Sequence, residues 1–274
     1  MPGRRLRLAG EGQFIEDETG LRQHCGFIGA AGGRIFVSLH TGRVDPAAAV
    51  LVCSPVFVEG ERNYRREVLL GRALAARGVA CVRFHYRGTG NSDSLAAVTP
   101  STMTDDARHV LEELVKLRFA SIGLVGTRSS APTALALRGD LADGPVALWS
   151  PVLDLSRWAR EVRRAARVAA LGEPASSHEP GDAPDLIDAM GYGMSHTAFT
   201  NAAAVALPTR RALIVEFDGK ATNGRESCST VDRLEFSVEH SWWFLDHDWT
   251  AEEERRQIHG LVFPTADWLS QQLA

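Results

Sequence analysis

Cysteine is scarce in this 274-residue chain: four residues, Cys25, Cys53, Cys81 and Cys228, stand far apart. No pair has the spacing of metal ligands, so no metal is expected, and a chain this long and apolar has no need of a disulfide framework. Cys53 and Cys81 lie within apolar runs, where a thiol packs as a small hydrophobe. An excess of charge is also missing. Thirty Lys and Arg against 34 Asp and Glu leave a net charge of −4, which gives no electrostatic case for nucleic acid. The basic stretch 157–167 alternates with apolar residues at helical spacing and reads as the solvated face of a helix. No apolar run approaches the roughly 20 residues that cross a bilayer. Arg4, Arg5 and Arg7 are followed by Gly10-Glu-Gly-Gln13 rather than by an apolar stretch. That start does not read as a secretory signal, and a cytoplasmic protein is expected. Gly88-Thr-Gly90 alone is too short for a dinucleotide fingerprint and no phosphate loop occurs, so no cofactor is expected.

What the chain does have is a rhythm. Residues 27–40 form a hairpin pattern around Ala30-Ala-Gly-Gly33. A continuous apolar run at 49–53 is what a parallel strand covered on both faces carries, and further strands are read at 79–84, 122–125, 146–149 and 212–217. A further strand is read at Leu234–Val238. Helical patterns fall between the runs, at 63–77, 103–118 and 130–139, and a last helix starts at Thr250, where Thr250 and Glu253 make a Thr-x-x-Glu box. Alternating strands and helices predict an α/β fold, a mostly parallel sheet with helices on both faces. The rhythm breaks over residues 154–207, with an arginine-rich helix at 155–171 and a Pro- and Gly-containing loop after it. We therefore expect an α/β core from residues 1–153 and 208–274, and a helical cap from 154–207 over the carboxyl edge of the sheet, where ligands of such sheets bind.

The stretch Ser121-Ile-Gly-Leu-Val-Gly-Thr-Arg-Ser-Ser-Ala131 reads as strand, tight turn of small residues and helix start, the layout of a nucleophile elbow. Phe84-His-Tyr-Arg-Gly-Thr-Gly-Asn-Ser92 looks like the Asp-x-Arg-Gly-x-Gly-x-Ser turn that follows the fourth strand of α/β-hydrolases, and Val52-Cys-Ser-Pro-Val-Phe57 takes the place of the loop that lends an oxyanion-hole N–H. On these motifs the chain resembles the α/β-hydrolase fold along nearly its whole length. On Ser54-Pro-Val-Phe-Val-Glu-Gly-Glu-Arg-Asn-Tyr64, Leu148-Trp-Ser-Pro-Val152 and Gly191-Tyr-Gly-Met-Ser195 it is similar to the serine-aminopeptidase-like hydrolases associated with exosortase systems, in which the elbow often reads Gly-x-Arg. The resemblance implies a hydrolase or acyl-transfer enzyme acting on an ester, thioester or amide of a small acyl substrate. His85 and Asn91 stand where that turn usually carries Asp, so two negative charges are absent from the sheet edge.

Acyl transfer in this fold needs an activated hydroxyl, a histidine base, an acid to orient it and N–H donors for the oxyanion. Two registers of the turn are open. In one, Arg128 holds the tip, flanked by Gly126 and Ser130, and its planar fork binds an anion or pairs under the cap. In the other, the turn slides by one and Ser129 attacks. Ser129 and Ser130 also suit helix capping. The resemblance places the base at His247 or His240 and the acid at Asp218, with Asp154 as fallback. The backbone N–H groups of Val56, Phe57 and Ser129 are the oxyanion candidates. Glu59 and Glu61 face the same edge, as proton donors or as partners of Arg62 and Arg66. Trp158, Tyr192, Met194, Phe199, Trp242, Trp243 and Trp249 would ring an acyl pocket, or pack the core. Three functional classes follow: a serine-type hydrolase, an enzyme of the same fold with Arg128-based, non-serine chemistry (cyclase, lyase or water-mediated hydrolase), and an inactive homologue that binds a ligand or partner. The partner expected is a small molecule. Oligomeric state is not legible, and a homodimer is among the states left open.

Overall fold

Among the residues that the computed structural model describes (8–142, 144–170, 185–189, 191–217, 231–236 and 250–274), the chain opens as an antiparallel ribbon and then alternates strand and helix. The ribbon is β1 (Ala9–Glu16), β2 (Arg22–Ala30) and β3 (Gly33–Thr41). β4 (Ala48–Cys53), α1 (Val58–Ala76), β5 (Val79–Phe84), α2 (Pro100–Lys116), β6 (Ser121–Thr127), α3 (Ala131–Asp140) and β7 (Val146–Trp149) follow. Next come α4 (Leu155–Ala170), a small hairpin of β8 (Leu186–Asp188) and β9 (Gly193–Ser195), and α5 (His196–Thr200). β10 (Ala212–Phe217), β11 (Val231–Phe236), α6 (Ala251–Gln257) and α7 (Phe263–Leu273) complete the described chain. No helix of these residues is long and apolar enough to cross a membrane.

The main sheet runs β1-β2-β3-β5-β4-β6-β7-β10-β11, antiparallel through β3 and its pairing with β5, and parallel from β5 to β11. From β4 the chain steps outward to β5 and then returns across β4 to β6. The winding direction therefore reverses at β4, and a crevice opens at the carboxyl ends of β4, β5 and β6. Every residue of β4, β5, β7 and β10 is buried, which is why these strands read as apolar runs, interrupted only by Arg83 in β5 and Glu216 in β10. Alternate residues serve opposite faces: Ala49, Leu51 and Cys53 join the layer that contains Met103, Val110 and Leu114 of α2, whereas Val50 and Val52 join Leu70 and Leu74 of α1 and Leu269 of α7.

Several boundaries differ from the sequence expectation; α2 starts three residues earlier, at Pro100, and β6 extends to Thr127. α1 begins at Val58, not near residue 63, because Glu59 and Glu61 occupy its first turn, where carboxylates suit the helix dipole. The last helix does start after Thr250, whose hydroxyl accepts from Glu253 N–H at 3.2 Å, but a π-helical stretch at 258–262 separates α6 from α7. Pro264 follows directly and cannot supply the N–H that a regular ladder would use. The strand read at 234–238 is β11, which begins three residues earlier; Ser237 and Val238 lie outside the described residues.

Beneath α1 the helix face is unusually polar. Glu67 lies 3.5 Å from Arg83 of β5 and accepts from Asn63 (2.7 Å) and from the Ser54 hydroxyl (2.6 Å). Burial pushes its carboxyl up while Arg83 pulls it down. Nearby, His40 of β3 is buried against Gly71, where an added Cβ would come within 2.8 Å of the imidazole. Burial, reinforced by Arg83 and Arg72, drops the His40 pKa to about 3.

Two outcomes follow. Ala ordinarily stabilises a helix interior relative to Gly by about 1 kcal/mol, but Gly71→Ala forces the His40 ring aside and should destabilise the protein by about 1–3 kcal/mol, read as a lower denaturant midpoint. His40 stays neutral in the fold down to about pH 3, whereas an unfolded histidine binds its proton near pH 6.5. The unfolded state therefore takes up more protons across this window. Stability should fall as pH drops from 6.5 towards 3, with His40 contributing at most about 1.4 kcal/mol per pH unit, and His40→Gln should flatten that slope in urea titrations.

Candidate functional site

Three consecutive strand ends at the crevice carry residues in the left-handed region that side chains avoid. Phe57 (φ 60) follows β4, Arg128 (φ 50) follows β6 and Ser150 (φ 44) follows β7. Strain of this kind persists only where neighbours hold it, and here they do. The Arg128 carbonyl accepts Val152 N–H at 3.0 Å, and Ser150 N–H donates to Val215 at 2.8 Å. Gly126 is needed for the turn, because a Cβ there would lie 2.7 Å from Ala134 at the start of α3.

Arg128 is the first residue of the turn, with Ser129 and Ser130 behind it in a single 3-10 turn. Its Nε and Nη2 donate to Glu59 Oε1 at 3.2 and 3.0 Å, and Trp158 Nε1 of α4 donates to the same oxygen at 3.0 Å. Glu59 is fully buried, and its Oε2 has no hydrogen-bond partner among the described residues. Sequence proximity offered Arg62 and Arg66 as partners of Glu59; the fold supplies Arg128 instead. The Arg66 Nε turns to Gln257 Oε1 at 3.1 Å.

The two serines are buried. Ser129 Oγ accepts Val56 N–H at 3.3 Å, and Ser130 Oγ donates to the Ser54 carbonyl and accepts from Tyr86 at 3.2 Å. Of the two loop amides considered for an oxyanion, Val56 N–H is thus taken by Ser129, whereas Phe57 N–H makes no hydrogen bond among the described residues. Asp218, His240, Trp243 and His247, along with Trp242 and Trp249, lie outside the described residues. Asp154 caps the first turn of α4, accepting from Arg157 N–H at 3.0 Å.

The aromatic residues of the 154–207 segment converge on Phe57. Its ring stacks on Trp158 at 6.1 Å and meets Tyr192 at 5.8 Å and Phe199 at 6.3 Å. Beside this cluster, at the ends of β4 and β5, lies a cavity of about 310 Å³ bordered by Phe57, Glu61, Tyr64, Glu67, His85, Tyr86 and Tyr192. Glu61 accepts the Tyr192 hydroxyl. Burial, aided by Glu61, raises the Tyr192 pKa to about 12, so the phenol stays a donor.

His85 explains one of the two missing acids. Its Nδ1 accepts Asn91 N–H at 2.9 Å, so a neutral imidazole supplies the acceptor that Asp would bring to the turn. Gly90 is required beside it, since a Cβ would approach Nδ1 to 2.3 Å. Burial, then Arg83, lowers the His85 pKa to about 4. With Nδ1 occupied as an acceptor, the neutral ring carries its proton on Nε2. His85 is therefore a hydrogen-bond donor at the cavity rather than a base. No group of His, Cys, Asp and Glu among the described residues could hold a metal ion.

No family model matches the chain, and no curated protein matches it. Solved structures do. Est1E from Butyrivibrio proteoclasticus is 17% identical, with 91% of this chain and 98% of that chain covered, at a TM-score of 0.60. The hypothetical protein PA2218 from Pseudomonas aeruginosa is 15% identical over 94% and 99% of the two chains, at 0.53. An alpha-beta serine hydrolase homologue from Coxiella burnetii is 16% identical over 91% and 97%, at 0.51. Sheet order, the crevice at β4 and these likenesses establish that the chain has the α/β-hydrolase fold.

Proposed function

We propose that the protein is a hydrolase of small acyl compounds (esters, thioesters or amides) in which Arg128, not a serine, stands at the turn after β6. The observation that carries this reading is the strained Arg128, tied to buried Glu59 beneath Trp158, with both following serines buried and their hydroxyls engaged. A guanidinium fixed by a carboxylate that an indole N–H also holds is a preorganised positive group. It would polarise the substrate carbonyl and hold the negative charge that builds on its oxygen, with the Phe57 N–H as second donor. Water then supplies the oxygen that bonds to the carbonyl carbon. Its proton goes to a base, and the leaving alcohol, thiol or amine departs with a proton returned. His85, with its Nε2 protonated, does not fit the base. His247 or His240, oriented by Asp218, takes that role on the sequence order of the family. The 154–207 segment acts as a cap, a reading supported by Trp158, Tyr192 and Phe199 around Phe57.

The test is turnover of short-chain p-nitrophenyl esters, thioesters and amides. Arg128→Ala alone strands a buried Glu59 and should cost about 3–5 kcal/mol of stability. The double variant Glu59→Gln/Arg128→Gln removes both charges and should recover most of that loss, seen as a thermal midpoint near that of the parent. Its kcat/KM should nevertheless remain about 10²–10³-fold down, while Ser129→Ala stays close to the parent enzyme. Fluorophosphonate labelling at Ser129, with turnover abolished in Ser129→Ala, would replace this reading with serine chemistry. Absence of turnover on every such substrate class would end it.

A further inference from the structure

The cavity beside Phe57 has an unbalanced charge inventory. Among the described residues its carboxylates are Glu61 and Glu67, and no Lys or Arg borders it. His85 contributes no positive charge at neutral pH, since its pKa lies near 4. Glu67 is matched by Arg83 from behind and by the Ser54 and Asn63 hydrogen bonds, so its charge is spoken for. Glu61 differs. It is exposed at the cavity, its carboxylate is met by the Tyr192 hydroxyl, and it has no basic partner among the described residues. The aromatic residues Phe57 and Tyr192 line the cavity with it, whereas the Tyr64 ring is already covered by the Arg83 guanidinium at 4.4 Å. An anionic ligand would meet carboxylates and aromatic rings. A cation would meet a carboxylate and rings able to attract positive charge.

We infer that this cavity binds an organic ammonium group, held between the Glu61 carboxylate and the rings of Phe57 and Tyr192. The inference deepens the reading of the site as acyl-hydrolysing, because it makes the favoured substrate a small acyl compound that carries a protonated or quaternary amine. At about 310 Å³, the cavity accommodates such a head group with a short chain. The two parts are separable: the ammonium site is read from equilibrium binding, without turnover.

Calorimetric titration of the intact protein with choline, ethanolamine, the neutral choline isostere 3,3-dimethylbutan-1-ol and acetate tests it. Choline or ethanolamine should bind at least about tenfold more tightly than the isostere, the factor expected when a cation gains about 1.4 kcal/mol from ring faces and a carboxylate. The stronger of the two identifies whether the group is quaternary or primary. Glu61→Gln, a change at an exposed position, should lower cation affinity about tenfold and leave the isostere unaffected. Tyr192→Phe, which keeps the ring and releases Glu61 from its donor, should preserve cation binding, whereas Tyr192→Ala should weaken it. Equal binding of the isostere, preference for acetate, or cation affinity unchanged in Glu61→Gln would each overturn the inference. None of these results depends on whether Arg128 supports hydrolysis.

Discussion

The buried contact between Glu59 and Arg128 is the constraint around which this sheet edge is organised. A carboxylate taken out of water is tolerable only when a cation and hydrogen bonds replace its hydration. Glu59 receives both, from a turn 69 residues away in sequence and from the Trp158 indole of α4. The pair joins three separate pieces: the first turn of α1, the end of β6 and the first helix of the 154–207 segment. Phe57 and Arg128 can both occupy disfavoured backbone conformations because the elements that carry them are cross-linked in this way. What an unstrained turn would spend on stability is held here as fixed geometry at the mouth of the crevice.

A second polar layer lies one turn deeper. Arg83 faces Glu67 on one side and lies 4.4 Å from the Tyr64 ring on the other. Burial lowers the pKa of both His40 and His85, and the charge of this one guanidinium adds to it at each, in the packing under α1 and at the cavity. The structural and the binding sides of α1 are electrostatically coupled through β5.

Much of the scaffold was legible because burial on both faces leaves a plain trace. β4 and β7 are apolar from end to end, β5 and β10 apart from Arg83 and Glu216, and all four match their expected positions. β1 leaves no such trace. Its sequence Ala-Gly-Glu-Gly-Gln-Phe-Ile-Glu has neither a run nor an alternation, and its pairing with β2 slips between Ala9 and Gln13. The site was legible as an address more than as a set of contacts. Sequence placed Arg128, Glu59 and His85 at one edge, yet it offered Glu59 the neighbours Arg62 and Arg66, because only the pairing of β4 with β6 brings residue 128 against residue 59. The commitment of Ser129 to Val56 N–H depends on backbone direction in a loop, for which no residue type is a signal. The role of His85 could be seen in advance only as a missing acid.

Histidine usually serves proteins as a side chain whose charge responds to ordinary changes of acidity. Burial, reinforced by Arg83, takes that responsiveness away from His85, while the backbone amide of Asn91 and the cramped approach of Gly90 fix its ring. The ring becomes a fixed dipole, as constant through the neutral range as an asparagine amide would be. In the folded state the charge of His85 stays constant between pH 6 and 8, so a pH dependence of the folded protein's activity in that range originates in another residue.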